Sequence, residues 1–69
     1  MKKIGQRIVI TYGMAEFVGA TGEIIDNTEG DGNTVMYRVR LFKPVEISGV
    51  GEVTDDLWSG PYLRNVRTQ

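Results

Sequence analysis

Hydrophobic and polar residues alternate over short stretches of this chain, and each stretch is cut off by glycine, proline or asparagine. Residues 34–42 (Thr-Val-Met-Tyr-Arg-Val-Arg-Leu-Phe) give the clearest example. Val35, Tyr37, Val39 and Leu41 fall on one side and Arg38 and Arg40 on the other, the period of two that marks a half-buried strand. Residues 7–12 (Arg-Ile-Val-Ile-Thr-Tyr) are β-branched and aromatic, with Ile8, Ile10 and Tyr12 sharing a face until Gly13 ends the run. An irregular loop over 13–20 carries Met14, Phe17 and Val18, and a second strand is expected over 22–27, with Ile24 and Ile25 on opposite faces. Residues 29–33 (Glu-Gly-Asp-Gly-Asn) read as a turn. Pro44 ends the third strand or marks a bulge or an edge. Residues 45–53 read as a hairpin arm reversing at Ser48-Gly49. Residues 55–59 (Asp-Asp-Leu-Trp-Ser) read as one helical turn with an aspartate cap, stopped by Gly60-Pro61, and a short last strand covers 62–66.

Five short strands with a helical turn before the last make the plan of an all-β, five-stranded SH3-like barrel spanning residues 1–69 as one domain. The competing plan is an OB-like barrel, usually longer and often with a helix between its third and fourth strands. No stretch keeps a helical apolar period, which argues against an α-rich fold. The expected core is Ile8, Ile10, Ile24, Val39, Leu41, Val53, Leu63 and Val66.

Composition narrows the chemistry. There is no cysteine and no histidine, so disulfides, thiolate metal sites, a catalytic thiol and the commonest general base are all missing. A chain of 69 residues has a thin core. Without staples, its stability must come from packing, alone or joined by self-association into a homo-oligomer. The net charge of −1 lowers the expectation of a dedicated duplex-DNA or ribosomal-RNA binder. Lys2 and Lys3 begin like a signal sequence, but Gly5, Gln6 and Arg7 interrupt it, and no apolar run reaches membrane length. A cytoplasmic, membrane-free protein is expected.

Gly5-Gln6-Arg7-Ile8-Val9-Ile10, then Gly13, then Phe17-Val18-Gly19-Ala20-Thr21-Gly22-Glu23-Ile24 resembles the opening of KOW-type SH3-like domains. In that family a Gly-x-x-Val-x-Val strand leads through a loop to a Gly-x-x-Gly-x-Val/Ile element. Met36-Tyr37-Arg38-Val39 and Leu63-Arg64-Asn65-Val66 occupy the places of the third and last strands. KOW domains that bind RNA or the transcription machinery usually carry a lysine or arginine beside the first glycine of that element. Here Val18 and Ala20 flank Gly19, so the resemblance implies the scaffold and not that chemistry. The chain also resembles small stand-alone SH3-like proteins of bacteriophages and mobile elements, which implies an accessory or regulatory role.

Several constellations have plainer explanations than chemistry. Gly19-x-x-Gly22 lacks the Gly-Lys-Ser/Thr of a phosphate loop and serves turns and close packing. Asp26, Asn27, Glu29, Asp31 and Asn33 lack the spacing of a calcium loop and make a solvated turn. Glu52, Asp55 and Asp56 have no nucleophile or orienting partner beside them. The expectation is a protein that is not an enzyme, with no catalytic residue, metal or cofactor.

Two binding surfaces remain. Tyr12, Phe17, Trp58 and Tyr62 are the aromatics near the expected loops, where peptide-binding SH3 domains build an aromatic groove, and Phe17, Trp58 and Tyr62 form the favoured site for an unidentified protein partner. Trp58 could instead lid the core. The alternative is a nucleic-acid-binding face of Arg38, Arg40, Arg64 and Arg67, with Lys2, Lys3 and Arg7 near the other end. Its plain counterpart is solubilising charge paired with Glu23 and Glu52.

Overall fold

A computed structural model describes residues 2–29 and 35–66, and the side chains of Thr28 and Glu29 are not included. The turn expected over 29–33 therefore lies, but for Glu29, outside the described residues. The chain forms β1 (Arg7–Ile10), β2 (Thr21–Glu29), β3 (Val35–Ile47) and β4 (Gly51–Ser59), a 3-10 turn over Gly60–Tyr62, and β5 (Leu63–Asn65). The strands make one antiparallel sheet in the order β4-β3-β2-β1-β5, which is not closed between β4 and β5. The fold is all-β.

Two irregularities shape the sheet. β2 pairs with β1 over Thr21, Gly22 and Glu23, and its register against β3 shifts between Ile24 and Asp26. Ile24 faces the core opposite Val39, the extra residue Ile25 is exposed, as their adjacent positions foretold, and the ladder resumes with Asp26 opposite Arg38. In β3, Arg40 opposes Asp55 and Val45 opposes Val53, so Leu41, Phe42, Lys43 and Pro44 stand against Thr54 alone. Pro44, which cannot donate to a ladder, is accommodated in this bulge rather than ending the strand. The hairpin reverses over 48–50, where Gly49 has φ 83°.

β2 meets β3 closely at one glycine. A Cβ built on Gly22 would lie 2.5 Å from the Arg40 carbonyl oxygen and 2.7 Å from Val39 Cγ1. Gly22 is therefore a packing glycine, and the reading of Gly19-x-x-Gly22 as structural holds at this position.

The core contains Ile8, Ile10, Ile24, Val39, Leu41 and Leu63 from the expected set, joined by Phe17, Tyr37, Ile47 and Trp58. Val53 and Val66 are half-buried, Val53 packing against the cluster from the projecting hairpin. Tyr12 departs from the expected inward face because β1 ends at Ile10, and its side chain is 65% exposed.

The helical turn expected over 55–59 is not formed: these residues are extended within β4. The acids that looked like caps have other partners. Asp55 Oδ2 accepts from Arg38 Nη1 at 2.8 Å, and Asp56 Oδ1 accepts from the Leu57 N–H at 2.8 Å. The turn forms just after them, at Gly60-Pro61-Tyr62, where proline supplies the fixed φ of a first helical turn.

Candidate functional site

Trp58 lies in β4 opposite Tyr37, and the inward phase of that pairing carries its indole into the core. Phe17 reaches the same place from the loop between β1 and β2. Tight turns fold that loop back: Phe17 N–H donates to the Met14 carbonyl at 2.9 Å and Ala20 N–H to the Phe17 carbonyl at 2.9 Å. Gly19 N–H donates to the Ile10 carbonyl at 2.8 Å and pins the loop to the end of β1. The Phe17 and Trp58 rings then meet edge to face, with centroids 5.2 Å apart and planes 80° apart. Trp58 is 6% exposed and Phe17 5%, so the expectation that they wall an open groove is corrected. A thin core uses its largest side chains to fill its end.

Tyr62 is separated from that pair. It closes the 3-10 turn, is 37% exposed, and meets Tyr12 edge to face with centroids 5.0 Å apart and planes 70° apart. Its carbonyl oxygen accepts from Thr11 N–H at 2.8 Å and from Thr11 Oγ1 at 3.0 Å, which ties the β1 exit to the turn. Gly13, at φ 119°, follows Tyr12, and a Cβ there would sit 3.9 Å from the Tyr62 ring. Met14 is exposed on the same loop. Tyr12 was not among the expected site residues. Its alternation with Ile8 and Ile10 read as core, and only the early end of β1 frees it.

Of the four arginines, the three that lie among the described residues do not form one continuous patch. Arg38 pairs with Asp55 at 2.8 Å, and Arg40 Nη2 pairs with Glu23 Oε1 at 2.9 Å. These two cations are neutralised across the sheet, and each pair is exposed enough to be worth at most about 1 kcal/mol. Arg64 sits on β5, opposite Val9 of β1, so β1 and β2 lie between it and β3. At about 4.8 Å per strand that is about 14 Å. Arg67 lies outside the described residues. Among the remaining cations, Lys2 Nζ donates to Asn65 Oδ1 at 3.2 Å, and Arg7 stands 5.7 Å from the centre of the exposed Phe42 ring. A shallow cleft of about 340 Å³ opens beside the β3 bulge, between the loop end at Gly19 and Ala20 and the strand at Phe42, Lys43 and Pro44. None of Phe17, Trp58, Tyr62 or the paired arginines lines it.

No helix among the described residues is long and apolar enough to cross a membrane. Comparison with family models, with curated proteins and with solved structures finds no significant match.

Proposed function

We propose that this chain is a non-catalytic binding module built on an SH3-like barrel, making protein–protein contacts through Tyr12 and Tyr62. The barrel reading draws on the β4-β3-β2-β1-β5 order, the bend in β2 and the 3-10 turn before β5. The observation that carries the binding reading is the Tyr12–Tyr62 pair itself: two surface rings in mutual contact, on backbone fixed by both Thr11 hydrogen bonds. Tyrosines held this way present apolar area and a hydroxyl with little rotamer entropy left to lose, which suits the anchors of protein interfaces. An accessory role in a bacteriophage or mobile element draws on the resemblance to stand-alone barrels, and the cytoplasm is the compartment that the lack of cysteine fits. The nucleic-acid reading is weaker because Arg38 and Arg40 are already paired with carboxylates.

The test compares capture from the native lysate by the wild type, Tyr12→Ala and Trp58→Phe. The expected result is one defined protein retained by wild type and Trp58→Phe and lost on Tyr12→Ala, with all three folded by circular dichroism. Equal retention by Tyr12→Ala, or no defined protein retained by the wild type, would overturn the reading.

A further inference from the structure

The charges of this chain are segregated by strand. From residue 44 to residue 63 there is no lysine or arginine, while Glu46, Glu52, Asp55 and Asp56 all fall there. From residue 2 to residue 15 there is no aspartate or glutamate, while Lys2, Lys3 and Arg7 fall there. The segment from Leu63 onward also lacks acids and holds Arg64. The strand order turns this into a polarity of the sheet. β4, which carries only acids, is one outer strand; β5, with Arg64 and with Lys2 fastened to its Asn65, is the other.

Among the described residues, each outer strand leaves one side of its backbone without a strand partner. Such an edge pairs readily with another strand, and proteins usually block it with charge, proline or a covering loop. On β4, Asp56 accepts the Leu57 N–H at 2.8 Å, and a strand carbonyl could take over that donor. Leu57 is part-exposed beside it and adds apolar area. A like pair of β4 edges would bring Glu52 and Asp56 against the same acids of the second copy, and these repel. The opposite edge of a second copy offers cations instead. Both halves of the complement are on every molecule.

We propose that β4 of one copy pairs with β5 of the next, so that the protein associates head to tail with itself. The contact is heterologous, so it builds a closed ring or an open filament rather than a two-fold dimer. A net charge of −1 leaves little overall repulsion to oppose it. The short β5, Leu63–Asn65, offers few ladder hydrogen bonds, so charge and side-chain contact must supply much of the affinity.

The test is light scattering coupled to size exclusion on the full chain at rising concentration. At about 50 mM salt the mass should climb to at least twice the 7.7 kDa chain, and it should fall back as salt shortens the range of the charge attraction. Asp56→Arg alone and Arg64→Asp alone should each stay monomeric where the wild type associates, since each replaces the attraction between positions 56 and 64 by a repulsion between like charges. Both positions are exposed, so the fold is kept, and circular dichroism reads it. Mixing the two variants should restore association, because the reversed edges complement each other. A wild type that stays monomeric up to about 1 mM at low salt would overturn the proposal and leave Asp56 as a guard of the edge. Variants that associate like the wild type, or a mixture that stays monomeric, would overturn it as well.

Discussion

The Trp58 indole and the Phe17 ring meet edge to face with centroids 5.2 Å apart, and both side chains are buried. One comes from a loop and the other from the outer strand β4, so this contact closes the core between parts of the chain that share no hydrogen-bonded ladder. Trp58→Ala should therefore cost about 3–5 kcal/mol, a large share of what a small domain has. Denaturant unfolding followed by circular dichroism measures it. An unchanged midpoint would mean that the indole is not part of the core. In the wild type, fluorescence of this sole tryptophan should resist quenching by acrylamide.

Gly22→Ala places a methyl 2.5 Å from the Arg40 carbonyl oxygen, where rigid backbone blocks it. Overpacking of this kind costs about 1–3 kcal/mol. Gly19→Ala meets no atom within 4 Å and suffers only from its φ of 92°. Thermal melts should rank Gly22→Ala below Gly19→Ala in stability. The reverse order would contradict the close approach of β2 to β3.

Val39 is fully buried between β2 and β4. Val39→Ala should cost about 1–3 kcal/mol through lost burial and the cavity left behind. A denaturation midpoint equal to the wild type would place the wrong face of β3 inward.

The Arg38–Asp55 pair is about as exposed on each side, 42% and 41%. A double-mutant cycle on Arg38→Ala and Asp55→Ala should give a coupling of at most about 1 kcal/mol, shrinking as salt rises. With these cations engaged, a fluorescent DNA duplex should show no sub-micromolar binding at about 150 mM salt. Tight binding that disappears on Arg38→Glu with Arg40→Glu would favour the nucleic-acid reading instead.

How far the sequence reveals this structure depends on where strict alternation survives. Tyr37, Val39 and Leu41 keep the period of two through β3, so the inward face is readable there. Beyond Leu41 the bulge sets Leu41, Phe42, Lys43 and Pro44 against Thr54 alone, and this offset carries no periodic mark. The phase of β4 is lost with it, which is why Trp58 looked like a loop aromatic. Asp55 and Asp56 strengthened that impression, because aspartate before a bulky pair suits a helix cap as well as a cross-strand ion pair. Phe17 was hidden for another reason: its burial depends on tight turns within an irregular loop, and no regular spacing announces them. Tyr62 stood out from Gly60-Pro61 alone, whereas Tyr12 lies at the surface because β1 ends at Ile10, two residues before it.

The proposed binding surface is anchored by Tyr12 and Tyr62, apart from the buried Phe17–Trp58 contact. The most direct measurement is an amide NMR titration of the labelled chain with the protein retained in the capture experiment. Shifts should concentrate at Thr11, Tyr12, Gly13 and Met14 and at Gly60, Tyr62 and Leu63, with the Trp58 indole signal little moved. Shifts centred instead on Arg38 and Arg40, or on the Trp58 indole and Phe17, would contradict it.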